Sequence, residues 1–229
     1  DTLESRITNN SVLTSAFGHS AEQKLNKVKQ VQIVACGTSY NAALVAKYWL
    51  EDIAKIQCNV EVASEYRYRR PILLNDTLFV TLSQSGETAD TIEALKAAKK
   101  INSNIITLSI TNSPESSLTR LSDLVFLTHA GPEIGVASTK AFTTQLVSLA
   151  LLTCSIGKLK KTINKKQEKR IVEGLKRLPG LISETLLQEV QIKKLAVRFK
   201  GTNSALFLGR GTMHAIAMEG ALKLKEISY

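Results

Sequence analysis

The sequence lacks the features that mark secreted and nucleotide-binding proteins. Only three of its 229 residues are cysteines, and Cys36, Cys58 and Cys154 have neither paired spacing nor a CxxC motif. This usage is typical of a reducing compartment, so we expect a cytoplasmic protein with free thiols. Neither GxGxxG nor GxxxxGK[ST] occurs, which argues against a nucleotide ligand. We expect no cofactor and no metal.

Long hydrophobic runs are also missing. The sequence opens without the basic and apolar regions of a signal peptide. The longest apolar helical stretch, 146–156, is interrupted by Ser148, Thr153 and Cys154 and is shorter than a membrane span. Hydrophobic residues still make up 44% of the chain, which is enough to bury a core. We therefore expect a soluble protein with no membrane partner.

The charge is strongly unbalanced, with a formal net charge of +10. Most of it lies in 157–177, where nine basic residues outnumber Glu168 and Glu173 and leave a net +7. No aromatic residue interrupts this run, so it offers no platform for stacking bases. The pattern favours a solvated basic helix and no nucleic-acid partner, with nucleic-acid binding through 158–177 as the lesser alternative.

Short runs rich in β-branched residues recur along the chain, each followed by a helical pattern. The runs are 31–36, 59–62, 77–82, 104–110 and 124–128. Each is apolar on both faces, as strands covered by helices on two sides must be. With helices expected at 40–53, 89–100, 116–121 and 139–159, the pattern predicts an α/β fold with a doubly wound, five-stranded parallel sheet.

The domain organisation follows from these patterns and from an internal similarity. IVACGTSYNAALVAKYWLE (33–51) and FLGRGTMHAIAMEGALKLKE (207–226) share an apolar strand pattern, a Gly-Thr pair and an Ala-rich helix. We predict a lead-in segment at 1–28, a sheet domain at 29–157, a basic helical connector at 158–200 and, at 201–229, the incomplete start of a second copy. The chain is therefore expected to be a piece of a longer protein.

Three junctions before helices are unusually rich in hydroxyl groups. They are CGTS (36–39), SQSGET (83–88) and VASTKAFTT (136–144). Ligands of open α/β sheets bind where strands end and helices begin, because helix N-termini present free N–H groups. Any one junction is explained by ordinary N-capping, but three in one domain favour a phosphate or phosphosugar site.

The segment EGALKLKEISY carries different chemistry. On a helix, Glu219, Lys223 and Glu226 fall on one narrow stripe, flanked by Leu222 and Ile227. A carboxylate beside an ammonium in an apolar frame can move protons on a sugar. A helical ion pair of small energetic value explains the stripe equally well.

Several long segments carry a resemblance to a known family. CGTSYNAALVAKYW, SEYRYR, TLSQSGETADT, AGPEIGVASTKAFTTQ and ALFLGRG...EGALKLKEISY occur in that order and span almost the whole chain. Together they resemble the sugar isomerase (SIS) part of the glucosamine-6-phosphate synthase family, the isomerizing glutamine–fructose-6-phosphate aminotransferases. The segment Arg210–Ala215 departs from the family's Arg-Gly-x-x-Tyr-Pro.

The resemblance implies a role for each matched residue. Glu226 matches the family's proton-transferring glutamate, and Lys223 matches a lysine near the reacting end of the sugar. The matched sugar-phosphate residues are Ser39, Ser83, Gln84, Ser85 and Thr88. The matched sugar-lining residues are Cys36, Gly37, Thr38, Val136 and Ser138.

The resemblance also implies partners. These are fructose 6-phosphate, glucosamine 6-phosphate and ammonia from a glutaminase domain, which this sequence does not include. The sequence also lacks the family's ring-opening histidine and Schiff-base lysine. It further implies a homodimer, and the apolar circumference of 141–156 independently predicts self-association. By itself the chain should bind the sugar phosphate weakly and catalyse little. The alternative is a non-catalytic SIS module that senses a phosphosugar.

Overall fold

The fold is built on one parallel sheet. A computed structural model describes residues 1–135 and 137–228. The strands are β1 (Gln30–Ala35), β2 (Gln57–Val62), β3 (Thr77–Ser83), β4 (Ile106–Thr111) and β5 (Leu124–Leu127). They pair in parallel in the order β2-β1-β3-β4-β5. The predicted five-stranded α/β sheet is therefore confirmed, with strand ends shifted by one or two residues.

Both faces of the sheet are covered by helices. The helices are α1 (Ala21–Lys27), α2 (Gly37–Asp52), α3 (Ala63–Tyr68), α4 (Ala89–Ile101), α5 (Ser117–Leu121), α6 (Lys140–Leu159), α7 (Lys165–Leu186), α8 (Glu189–Ala196) and α9 (Thr212–Ser228). Helices α2, α4, α5 and α6 were expected, although α2 begins three residues earlier than predicted. The short helices α1 and α3, of seven and six residues, were not predicted.

Alternate residues of the strands enter two separate cores. On one face, Ile33 and Val80 lie opposite each other in the β1–β3 register and pack with α2 and α6. On the other face, Phe79 contacts Tyr66 of α3 with ring centroids 5.3 Å apart. This two-sided burial is why the strands read as continuous apolar runs rather than as alternating ones.

Helix α6 is continuous, as the pattern over 139–159 predicted. The hydroxyls of Ser148 and Thr153, which interrupt the apolar run, donate to the carbonyls of Thr144 (2.7 Å) and Leu149 (2.9 Å) within the helix. Within the described residues it is the one helix long and apolar enough to span a membrane, but 61% of that window is buried inside the structure, as in a core helix. Its apolar circumference is covered by α1, α2, α7 and the sheet, so it gives no support to self-association.

The predicted connector forms α7 and α8. Helix α7 begins with a capping box in which Asn164 and Gln167 bond each other's backbone N–H groups. The basic residues at its start, such as Lys165 and Lys166, are exposed, in keeping with a solvated face. The end of α7, all of α8 and the segment to residue 208 leave large apolar side chains exposed, including Leu187 and Leu206.

The start of the predicted second copy is only partly visible as structure. Residues 203–210 contain no strand within the described part of the chain, because a strand needs a neighbouring ladder to pair with. Helix α9 does form, and it packs against α2 of the first domain. That a second copy begins here stays a prediction.

The lead-in segment is fastened to the corner between α6 and α7. The Glu168 carboxylate accepts hydrogen bonds from the Val12 N–H (3.0 Å) and the Ser11 hydroxyl (2.5 Å). The Lys158 ammonium lies 3.2 Å from the same carboxylate and donates to the Val12 carbonyl at 2.8 Å. Glu168 is buried, so this cluster, called the lead-in clasp below, joins residues more than 140 positions apart in the chain.

Candidate functional site

The first two hydroxyl-rich junctions lie side by side. Val34 of β1 pairs with Thr81 of β3, so two residues further along each strand bring Cys36 and Ser83 to neighbouring positions at the carboxyl edge of the sheet. Cys36 is the N-cap of α2, and Gly37 adopts a left-handed φ of 54° that turns the chain into the helix. Thr38 and Ser39 then fall in the first turn of α2, although the helix was predicted to begin only at residue 40.

The loop between β3 and α4 is held by its own hydroxyls. The oxygens of Ser83 and Thr88 lie 2.8 Å apart, and Ser83 also accepts the N–H of Gly86 at 3.0 Å. Ser85 accepts the N–H of Glu87 at 3.1 Å. Thr88 is the N-cap of α4, so the free amides of that helix begin at this loop. The loop thus presents hydroxyl and amide donors together, whereas Ser83 itself is buried.

The two carboxylates of this loop region are engaged elsewhere. Glu87 accepts the backbone N–H (2.6 Å) and hydroxyl (2.7 Å) of Ser117 at the start of α5, and these hydrogen bonds, the hydroxyl's first, lower the pKa of Glu87. Asp90 is paired with Arg67 of α3 at 2.7 Å. Arg67 lies on a short helix that the sequence did not predict, so only the fold shows a basic residue close to this loop. These pairings reduce the repulsion that an incoming anion would meet.

The third junction is already occupied by a side chain. The Glu133 carboxylate accepts the N–H groups of Thr139 (3.2 Å) and Ala141 (2.9 Å) and the Thr139 hydroxyl at 3.2 Å. Burial alone would raise the pKa of Glu133, but these hydrogen bonds outweigh it and lower the pKa. The expected anion donors of α6 are therefore engaged by Glu133. Ser138 is half-buried beside them, and Val136 lies outside the described residues.

Helix α9 brings its charged stripe to the start of α2. One Glu219 oxygen accepts the Thr38 hydroxyl at 2.9 Å, and the other accepts the Asn41 amide at 2.8 Å. The Lys223 ammonium donates to the Thr38 oxygen at 2.9 Å and lies 3.5 Å from Glu219. Lys223 also donates to Glu226 at 2.5 Å. The stripe predicted from helical spacing is therefore a real contact network, and it meets the CGTS junction.

Two further polar residues of this region were not found from the sequence. Asn41 is buried one turn into α2, and Gln145 of α6 donates to the buried hydroxyl of Ser39 at 2.9 Å. Both are isolated amides within apolar helical patterns, so only the tertiary contact reveals them. Ser39 is therefore engaged within the protein, although its own O–H remains a donor.

The chain therefore combines a five-stranded parallel sheet with hydroxyl-rich loops at the carboxyl edge of that sheet. Residues 24–155 match the family model for the SIS domain, and the chain belongs to that family. This confirms the family seen in the sequence.

Among curated relatives, the chain is similar to the glutamine–fructose-6-phosphate aminotransferase [isomerizing] of Pseudomonas syringae pv. tomato, with 56% identity over 228 residues. Its similarity to the enzyme of the same name from Vibrio vulnificus strain YJ016 is 54% over 229 residues. Both comparisons cover 100% of this chain but 37% of the relative, so the chain spans little more than a third of their length.

Comparison with solved structures gives the same kind of domain. The C-terminal domain of glucosamine-fructose-6-phosphate aminotransferase from Francisella tularensis superposes with a TM-score of 0.96 and 48% identity, covering 100% of this chain and 64% of that one. The glucosamine-6-phosphate deaminase of Thermotoga maritima gives a TM-score of 0.63 at 26% identity, over 87% of this chain and 59% of that one.

Proposed function

We propose that the chain is the sugar-isomerising part of a glutamine–fructose-6-phosphate aminotransferase, which forms glucosamine 6-phosphate from fructose 6-phosphate and glutamine-derived ammonia. The observation that carries the proposal is the Lys223–Glu226 contact of 2.5 Å on a helix docked against the CGTS junction. The identity to aminotransferases over the whole chain supports it. We also assign the protein to the cytoplasm and to a homodimer.

The phosphate is bound by neutral donors. Ser85, Gln84 and Thr88 surround the start of α4, and Ser39 lies in the first turn of α2 beside them. Hydroxyl and amide groups at helix N-termini stabilise a dianion through hydrogen bonds and the helix dipole. No arginine fork is then needed at the phosphate, and Arg67 acts on Asp90 instead.

The proton is moved by Glu226. Isomerisation needs one group that takes a proton from one sugar carbon and returns it to the neighbouring carbon on the same face. The carboxylate of Glu226 accepts that proton and then donates it, while the Lys223 ammonium stabilises the charge on the adjacent oxygen. Cys36, Gly37 and Thr38 lie at the strand end that would face the sugar.

Full-length protein tests the proposal. With fructose 6-phosphate and glutamine it should release glucosamine 6-phosphate, and Glu226→Gln should lower that rate by about 10²–10⁴-fold, the range for loss of a general acid–base. Binding of fructose 6-phosphate in a calorimeter should stay within about twofold, because the phosphate loop is unchanged. Lys225→Gln is the matched control, since Lys225 is the exposed neighbour on the same helix.

Three outcomes would each contradict part of the proposal. Normal turnover by Glu226→Gln together with loss in Glu219→Gln would reverse the two glutamates. Binding of the sugar phosphate with no product from the wild-type protein would favour the non-catalytic sensing module. Strictly monomeric light scattering at high concentration would contradict the homodimer.

A further inference from the structure

The buried end of the α2–α9 network has no assigned role. Glu219 is 6% exposed and Asn41 is 4% exposed, so neither side chain is placed to touch a sugar. A buried carboxylate is costly unless its oxygens are hydrogen-bonded. Here one oxygen is bonded by Asn41 and the other by Thr38, so the carboxylate is accommodated by two neutral donors from one turn of α2.

The hydroxyl of Thr38 has a fixed direction in this arrangement. Its single proton is donated to Glu219, which leaves only the oxygen's lone pairs for the Lys223 ammonium, 2.9 Å away. A hydroxyl that donated to the sugar instead would have to release Glu219. The position of Glu219 therefore fixes the direction of the Thr38 hydroxyl, and the Thr38 oxygen in turn fixes the position of the Lys223 ammonium.

Lys223 is then held from three sides. Its ammonium has three protons and meets the Thr38 oxygen, the Glu219 carboxylate at 3.5 Å and Glu226 at 2.5 Å. A free lysine side chain would lose rotamer entropy on being fixed, and these contacts offset that cost. Two of the three contacts come from the buried network, so the network sets where the ammonium stands before any ligand arrives.

We infer that Asn41 and Glu219 are positioning residues, which act through Thr38 to hold Lys223 against Glu226. This inference rests on the proposed function for the meaning of Lys223 and Glu226. The part that does not rest on that function is geometric: Asn41 and Glu219, which do not contact the substrate, align Lys223 with Glu226. The sequence placed Glu219 on the same stripe as Glu226 without telling the two carboxylates apart, whereas the geometry gives Glu219 a supporting part.

The test uses full-length protein and two matched pairs of variants. Asn41→Leu removes the amide with little change in volume, and Thr38→Val removes the hydroxyl, whereas Thr38→Ser keeps it. Thr153→Val is the control, because it removes a hydroxyl that is buried on α6, donates to the Leu149 carbonyl and lies outside the α2–α9 network.

We expect Asn41→Leu and Thr38→Val to lower kcat about 10–100-fold, the loss that follows misplacement of a catalytic group by about 1 Å. In Asn41→Leu, KM for fructose 6-phosphate should stay within about twofold, since Asn41 is buried and the phosphate loop is untouched. Thr38→Ser should recover most of the rate, and Thr153→Val should leave it unchanged. General loss of stability would not lower kcat in Asn41→Leu while leaving KM unchanged. It would also not be reversed by keeping the Thr38 hydroxyl in Thr38→Ser.

Normal kcat in folded Asn41→Leu, or equal losses in Thr38→Ser and Thr38→Val, would overturn the inference. If Asn41→Leu does not fold, the Thr38 pair decides. A crystal structure of Thr38→Val separates this inference from the proposed function: Lys223 should leave Glu226, and a contact still within about 3 Å would overturn the inference whatever the activity. A wild-type protein that makes no glucosamine 6-phosphate would refute the proposed function alone.

Discussion

The side-chain oxygens of Ser83 and Thr88 lie 2.8 Å apart, across the turn that joins β3 to α4. Ser83 is buried and also accepts the Gly86 N–H, so its hydroxyl shapes the loop. Thr88 is half-buried and has the remaining freedom to meet a ligand. The two hydroxyls look equivalent in the sequence. In the structure, we expect Ser83 to shape the loop and Thr88 to bind the ligand.

We expect Thr88→Ala in full-length protein to raise KM for fructose 6-phosphate about ten- to a hundredfold, because a hydrogen bond to a charged group contributes about 1.5–3 kcal/mol. Thr88→Ser is the matched control and should stay near wild type. Ser83 and Thr88 changed together to alanine should lose at most about 3–6 kcal/mol and should also unfold at a lower temperature. An unchanged KM in the double variant would remove these hydroxyls from the phosphate site.

Gly86 gives the loop its second constraint. Its φ of 67° is left-handed, and a Cβ there would lie 2.1 Å from the Ser116 oxygen and 2.8 Å from that of Thr111. Gly131 has a similar φ of 72°, but no atom of the described residues lies within 4 Å of the same position. Gly131→Ala should therefore lose only the conformational term, about 1–2 kcal/mol. Gly86→Ala should lose clearly more, and equal melting temperatures for the two variants would contradict this.

The lead-in clasp makes stability depend on pH. Burial alone would raise the pKa of Glu168, but hydrogen bonds from Ser11, Val12 and Lys158 lower it below its ordinary value of 4.5. A carboxylate whose pKa is lower in the folded state stabilises the fold above the unfolded-state pKa, and this is lost as the pH falls through the folded value. The clasp should therefore contribute fully at neutral pH and fade below about pH 4.5.

Glu168→Gln should destabilise the protein by about 1–3 kcal/mol at neutral pH, the penalty for weakening a buried hydrogen-bonded group. Thermal unfolding of the variant and wild type should converge as the pH is lowered. Glu173→Gln is the control on the same helix: it removes an exposed pair with Lys169 at 3.8 Å and should change stability by less than about 1 kcal/mol. If the difference in stability between wild type and Glu168→Gln were the same at all pH values, the lead-in clasp would not be the cause of the pH dependence.

The three thiols should differ in reactivity. Burial, reinforced by Glu51, raises the pKa of Cys58 to about 12, and burial with Glu168 raises the pKa of Cys154 to about 12. Only the thiolate is a nucleophile, so both should resist alkylation at about pH 8 in the native protein. Cys36 is partly accessible and should react first, and bound fructose 6-phosphate should slow it. Mass spectrometry of alkylated peptides, native against unfolded, checks each site.

The sheet and the charged stripe could be predicted because each depends on a local period. The strand run 77–82 and the spacing of Glu219, Lys223 and Glu226 are visible in the sequence itself. The contacts of Arg67 with Asp90 and of Glu133 with the start of α6 could not be predicted, because only the tertiary fold brings these groups together. Asn41 shows the same limit, because its partner Glu219 is 178 residues away.

The docking of α9 on α2 also sets an order of events during synthesis. The sheet and its covering helices are complete once α6 has been made, whereas Glu219 follows Thr38 by 181 residues. Contacts of such long sequence separation form late, because the closing loop is long. A growing chain can therefore form the β3–α4 loop well before Lys223 and Glu226 are in place. If the proposed roles hold, we expect an early species that recognises the sugar phosphate before α9 has docked on α2 and that acquires its lysine–glutamate pair only afterwards.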